Sequence, residues 1–331
     1  APYDLPLEEA RVLEPAEDDW SDPKRANAKL AEIEARFRAK RAEALTQDGR
    51  GGQFAEREGR LFLAESTGAT TPYADAKRGP TVAALRRLAN SLARTNQHGD
   101  LREIADRLLT LLDRPPPEAA SDAYEIWTLS LQLGAYRARD DALNAAPNGF
   151  DEPLDPARRF ALDTAVPAVA IYARSFEDVR AYDEELAAYE GAVASPAAQR
   201  KVVESAVATE TLERASGDIV LRVIATGEGS DAIAGRARKG GWFTSRNLVA
   251  KAAACVAAAY LGHVGVQAAE AHQTYSRIER FFNGAPDAID EIMRHAPADL
   301  RQAVQSVRAW MASAPKPGAA PPPIAPNPGP R

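Results

Sequence analysis

The sequence predicts an all-α fold: a multi-helix bundle of about nine to eleven helices between a disordered acidic N-terminal arm and a disordered proline-rich C-terminal tail. Most segments begin with a small polar cap and continue with apolar residues three and four positions apart, as amphipathic helices do. Aromatic residues make up only 7% of the 331 residues and alanine is abundant, so we expect helices that pack closely over small side chains. Residues 218–224 could form a strand, but helix is favoured because no comparable second strand is predicted.

The acidic arm, residues 1–22, carries most of the net charge of -6. It holds eight acidic residues and one arginine, which leaves the rest of the chain nearly neutral. This composition predicts a solubilising, disordered segment. The alternative is that the arm screens a basic patch on the same chain or on a partner.

A helical-hairpin region is predicted over residues 23–114. Its first helix begins at Pro23, with Asp22 as its cap. A narrow apolar stripe on that helix is typical of a coiled coil and is the predicted surface for assembly with a partner or a second copy. The stripe consists of Leu30, Ile33, Phe37 and Leu45. A shorter helix is predicted over residues 53–65.

The three consecutive prolines at 115–117 predict the boundary between this region and a larger helical domain, residues 118–313. Within that domain a helix should start at Pro156, and a long one near Ser245. The tail, residues 314–331, contains eight of the 24 prolines and cannot pack as a helix.

The segment GRARKGGWFTSRN, residues 235–247, is the predicted binding site. A cationic glycine turn that leads into a helix N-terminus is suited to hold a phosphate or a carboxylate. The predicted anion-binding residues are Arg236, Arg238, Lys239, Gly240, Gly241, Ser245 and Arg246. The alternative is a charged loop between helices without a ligand.

Two neighbouring features bear on a membrane. Trp242 and Phe243 stand beside the cations of this segment, which suits peripheral contact with an anionic membrane. The following run, LVAKAAACVAAAYLGHVGVQAAEAH, is rich in alanine and interrupted by Lys251, His263, Gln267 and Glu270. It therefore predicts a buried helix rather than a stable membrane span.

No residue pattern points to a reaction. Cys255 lies in an apolar run, where a cysteine packs as a small apolar side chain. The histidines lack the spacing of a metal site, so no metal, cofactor or catalytic residue is predicted. The absence of a broad basic face argues against a nucleic-acid binder.

Together these features predict a non-enzymatic scaffold protein that acts through helix-face contacts with a protein partner or with itself. Two alternatives stay open: a membrane-associated helical effector that uses the basic aromatic turn, and a helical enzyme or binder of a phosphorylated ligand at residues 235–247. A single cysteine and the lack of a secretory signal at Ala1 favour the cytoplasm, with a trimmed secreted or periplasmic chain as the alternative.

Overall fold

The computed structural model describes residues 54–64, 73–93, 97–119, 122–146, 152–262 and 268–313. Its elements in chain order are β1 (Phe54–Arg57), β2 (Arg60–Leu63), α1 (Ala74–Leu92), α2 (Gly99–Leu112), α3 (Pro116–Ala119), α4 (Ala123–Ala145), α5 (Pro156–Ala173), α6 (Glu177–Ala188), α7 (Pro196–Ala208), α8 (Arg214–Thr226), α9 (Ala232–Gly262), α10 (Ala268–Gly284), α11 (Pro286–Arg294) and α12 (Ala298–Ser313).

The structure is 79% helical, with eleven helices besides the four-residue α3, and this confirms the all-α prediction for the described ranges. The helix prediction for residues 218–224 is also confirmed, since they lie within α8. The arm, the tail and the predicted assembly residues Leu30, Ile33, Phe37 and Leu45 lie outside the described residues.

Helix α9, 31 residues long, is the central element. It packs against α4, α6, α7, α8, α10, α11, α12 and strand β1. Small and apolar residues along it, including Ala237, Leu248, Ala252 and Val256, have no exposed surface. None of the helices in the described ranges combines the length and the apolar character that a bilayer crossing requires.

A second group of helices, α1, α4 and α5, lies against this centre through α4. Helices α1 and α5 are antiparallel: the Thr81 hydroxyl donates to the Ala168 carbonyl (3.2 Å), and the Arg158 guanidinium donates to the Ser91 carbonyl (3.3 Å). Helix α5 starts where the sequence predicts, because the Asp155 carboxylate accepts from the amides of Ala157 and Arg158 (both 2.9 Å).

The core continues across the three prolines. Pro116 begins the short helix α3 rather than an extended segment, and α1 and α2, which precede the prolines, pack against α5 and α4, which follow them. Leu85, Leu108, Leu162 and Val249 belong to one buried cluster. The described residues on both sides of the prolines therefore share a core.

The helix predicted for residues 53–65 is wrong, because residues 54–63 form an antiparallel hairpin with Phe54 opposite Leu63. Glu58 and Gly59 have φ angles of 54° and 71°, the left-handed backbone that a two-residue hairpin turn requires. Strand β2 is anchored further along the chain: the Leu61 amide donates to the Thr211 carbonyl (2.7 Å), and the Glu213 amide donates to the Leu61 carbonyl (2.8 Å).

Candidate functional site

The predicted anion-binding residues lie inside α9, which begins at Ala232 rather than near Ser245, so the expected glycine turn is wrong. Close packing explains its two adjacent glycines. A Cβ on Gly240 would lie 2.7 Å from Cη2 of Trp127, and one on Gly241 would lie 2.4 Å from Oε1 of Gln199. Both separations are below 3.0 Å, so an added Cβ would force Trp127 or Gln199 to shift. The two glycines therefore serve close helix contact rather than a turn.

The cations of this segment already have partners within the protein. Arg238 donates to the carbonyls of Gly227 (3.1 Å) and Gly229 (2.8 Å), just beyond the end of α8. Lys239 donates to the carbonyls of Leu186 (3.2 Å) and Tyr189 (2.5 Å) at the end of α6. Helix C-termini leave carbonyls unpaired, and cations placed there satisfy them.

Two further members of the predicted set are similarly engaged or enclosed. Arg236 forms an ion pair with Asp183 at 3.3 Å. Ser245 has no exposed surface, and its hydroxyl has no hydrogen-bond partner among the described residues. Anion binding by this segment stays a prediction, without the exposed turn on which it depended.

The aromatic pair is buried as well: Trp242 is 0% and Phe243 is 3% exposed. The Arg246 guanidinium lies 5.2 Å from the Trp242 ring centre and 4.4 Å from that of Phe243, within range of cation–π attraction. The Trp242 indole donates to the Ile292 carbonyl (3.3 Å). Membrane contact through these rings would need them at the surface, where the structure does not place them.

A buried hydrogen-bonded cluster, which sequence reasoning missed, lies where α4, α6 and α9 meet. The Thr244 and Tyr182 hydroxyls both donate to the Gly240 carbonyl (2.9 Å each), and the Tyr124 hydroxyl lies 2.8 Å from that of Thr244. Burial raises the pKa of Tyr124 to about 12 and that of Tyr182 well above its usual value. Both phenols are therefore neutral near neutral pH.

The Asp183 carboxylate, 4% exposed as a residue, lies beside this cluster. It accepts from the Trp127 indole (3.0 Å) and from the Arg174 guanidinium (2.8 Å), in addition to its ion pair with Arg236. Its charge is thus matched by the protein itself. A buried polar set whose members satisfy one another fixes the arrangement of the helices that carry it, and we assign that structural role to the cluster and Asp183.

In the described part of the chain, no three His, Cys, Asp or Glu side chains are grouped so as to hold a metal ion. Cys255 is buried, at 6% exposure, as the sequence predicts. The features that remain for a functional role are at the surface.

The first surface feature is the outer face of α5, defined here as the α5 face: Phe160, Thr164, Pro167 and Ile171. Their spacing of four, three and four residues places them in one row along the helix. Phe160 is 66% and Ile171 is 51% exposed. Tyr73, the third exposed large apolar residue among the described side chains, precedes α1, which packs antiparallel to α5.

The second surface feature is a groove of about 270 Å³ between α11 and α12, which we call the arginine groove. It is lined by Asp290, Met293, Arg294, Arg301, Val304, Gln305 and Arg308. Arg308 is paired with Asp290, whereas Arg294 and Arg301 form no ion pair with any described residue. A groove of about 260 Å³ beside α1 differs, because its Arg78 donates to the carbonyls of Leu112 and Asp113 (both 2.7 Å).

Comparisons with protein-family models, curated proteins and solved structures find no match for this chain.

Proposed function

We propose that this chain is a non-enzymatic helical interaction protein that pairs with a second copy of itself through the α5 face. The proposal rests on the row on α5 in which Phe160, Pro167 and Ile171 are exposed and Thr164 is half-buried between them. Exposed large apolar side chains that cluster on one face mark contact sites more often than isolated ones do.

The spacing of the α5 face favours a second copy as the partner. The order four, three, four reads the same in both directions, so it is unchanged when the helix is reversed. An antiparallel partner related by a two-fold axis would place Phe160 opposite Ile171 of the other copy, and Thr164 opposite Pro167. Such self-complementarity is what a symmetric dimer interface requires.

Charge at the ends of α5 supports the same orientation. Asp155, which pairs with Arg158 at 3.2 Å, is exposed at the N-terminal end. Arg174, which pairs with Asp183 at 2.8 Å and keeps 52% of its side chain exposed, lies at the C-terminal end. Antiparallel pairing brings Asp155 of one copy toward Arg174 of the other. It also sets the two helix dipoles antiparallel, which is their favourable arrangement. A parallel pair would place like charges side by side.

The pairing is expected to be weak. Phe160 and Ile171 are already partly covered, so completing their burial contributes roughly 1–2 kcal/mol for each side chain. Association itself costs at least about 4 kcal/mol. A two-fold pair covers four such side chains, so the net gain is at most about 4 kcal/mol. We therefore expect a dissociation constant of about 1 mM or above, and a mixture of monomer and dimer that depends on protein concentration.

Sedimentation equilibrium of the full chain, over micromolar to millimolar concentrations, tests the proposal. Phe160→Lys alone and Ile171→Glu alone should each shift the equilibrium to monomer, because each buries a charge against an apolar side chain. The double variant Phe160→Lys with Ile171→Glu should restore the dimer, since antiparallel pairing sets the introduced lysine of one copy opposite the introduced glutamate of the other. Within one chain these positions are about 16 Å apart, too far to pair.

Ala215→Glu is the matched control, because it adds a charge at an exposed position on α8, away from α5. It should leave the equilibrium unchanged. A wild-type chain that stays monomeric throughout the concentration range would overturn self-pairing, as would a double variant that remains as monomeric as the single ones.

A further inference from the structure

The arginine groove is built from matching rows on two helices. On α12, Arg301, Val304, Gln305 and Arg308 follow the i, i+3, i+4, i+7 pattern, so they share the face that meets α11. On α11, Asp290, Met293 and Arg294 lie on the facing side. Met293 and Val304 are 3% and 1% exposed and form an apolar floor beneath the charged rim.

The balance of charge in the groove is positive. Asp290 offsets Arg308, and neither Arg294 nor Arg301 forms an ion pair within 4 Å with a described residue. Arg294 acts at longer range on the Glu291 carboxylate and, after the hydrogen bonds from Ser195, helps to lower its pKa. Arg301 is therefore the less opposed of the two charges. Two unpaired arginines above an apolar floor suit a ligand that combines carboxylates with an apolar side chain. The volume of about 270 Å³ is below the usual range for small-molecule pockets, so a peptide side chain fits better than a cofactor.

The same chain contains a segment with that chemistry. Residues 1–22 carry eight acidic residues and one arginine, in a chain whose remaining charge is close to zero. Within the segment, Glu17, Asp18 and Asp19 are consecutive and are followed by Trp20. Three carboxylates next to a large aromatic side chain match the unpaired arginines and the apolar floor.

We propose that residues 1–22 bind the arginine groove of their own chain, with carboxylates of residues 17–19 on Arg294 and Arg301 and Trp20 over Met293 and Val304. The tether does not prevent this, because the residues between Trp20 and Phe54 can span at most about 110 Å when extended. A tethered segment also has a high effective concentration, so weak contacts suffice.

Zero-length carbodiimide coupling of the full chain tests the contact directly. Arginine does not react, so Arg294→Lys with Arg301→Lys keeps the charge and supplies two amines in the groove. After coupling, mass spectrometry should find these lysines joined to residues 17–19 in monomeric protein. The yield should fall at least several-fold in high salt, which screens ion pairs between exposed groups.

The matched control is Arg180→Lys, an exposed position on α6, which should give background coupling to residues 17–19. Background coupling at the groove lysines as well would overturn the proposal. Coupling found only in covalent dimers would also overturn it, because the segment would then reach another molecule's groove. Neither result depends on the α5 face, provided that coupling is done with the Phe160→Lys chain, which is expected to be monomeric.

A displacement experiment gives an independent measure. Fluorescence anisotropy of a labelled peptide of residues 1–22 should show weak binding to the full wild-type chain, whose groove is occupied. Replacing Glu17→Gln, Asp18→Asn and Asp19→Asn in the full chain should strengthen peptide binding at least tenfold, and adding Arg301→Glu should reverse the gain. Equal peptide binding by the wild-type and neutralised chains would contradict the proposal.

Discussion

Two glycine substitutions in α9 should change stability in opposite directions. Gly235 and Gly240 lie in the same helix, but a Cβ on Gly235 would meet nothing within 4 Å, whereas one on Gly240 would lie 2.7 Å from the Trp127 ring. Gly235→Ala therefore gains helix propensity without a clash. Gly240→Ala gains the same propensity and meets a ring that cannot easily move.

The expected sizes follow from the packing. Alanine in place of an unhindered helix glycine stabilises by about 0.5–1 kcal/mol. Overpacking a buried site costs about 1–3 kcal/mol, and Trp127, 2% exposed, is held by rings of Tyr124 and Tyr182 at centroid distances of 5.4 and 5.2 Å. Gly240→Ala should thus lose about 1–2 kcal/mol in net terms.

Urea unfolding of the full chain, followed by far-ultraviolet circular dichroism, measures both variants against the wild type. The unfolding midpoint should rise for Gly235→Ala and fall for Gly240→Ala, with similar slopes in all three chains. If residues 235–247 formed an exposed turn, both substitutions would have small effects or would both destabilise. Equal midpoints for the two variants would therefore refute the helical packing described for this segment.

Three further substitutions probe the cluster and the hairpin. Asp183→Asn should lower the free energy of unfolding by about 1–2 kcal/mol in urea titrations, because Arg174 and Arg236 lose a buried carboxylate but remain partly hydrated. Because burial raises the pKa of Tyr124 from 10.0 to about 12, stability should fall as the pH rises from 10 toward 12, and Tyr124→Phe should flatten that fall in denaturation measured against pH. Gly59→Ala should lower the free energy of unfolding by at least about 1–2 kcal/mol, since the φ of Gly59 is 71° and a Cβ would lie 2.1 Å from the Thr274 hydroxyl. Adding Thr274→Ala removes the steric contact but not the backbone strain, so a thermal melt should show only partial recovery.

Local sequence signals located those helices whose starts are fixed locally. Asp155 caps α5 at the predicted start, Pro156, because an N-cap needs only its own side chain and the next few amides. Ser195 caps α7 before Pro196 in the same way. The helix α8 was predicted on a different ground, because no other predicted strand could pair with its apolar residues.

The errors arose where distant contacts decide the structure. Gly240 and Gly241 have the appearance of a turn in sequence, and only the position of Trp127, far away in the chain, shows that they admit a neighbouring helix. The hairpin depends on backbone bonds from Leu61 to the segment before α8. The pattern of residues 53–65 alone does not indicate these long-range hydrogen bonds.

The sequence predicts the two surface features only in part. Helix α5 could be predicted, but its apolar residues surround the helix, so the sequence does not say that Phe160 and Ile171 stay uncovered. The acidic arm was evident from composition. Its proposed counterpart was not, since Arg294 and Arg301 meet only after α11 folds back on α12.

Two cations on α9 bind the C-terminal ends of two neighbouring helices, α6 and α8. Lys239 holds the last carbonyls of α6, and Arg238 holds those beyond α8, so neither helix end is complete until α9 is in place. Opening α9 would release both ends at once. Backbone amides in the last turns of α6 and α8 should therefore exchange with solvent together with those of α9, as a single cooperative unit, rather than fraying separately.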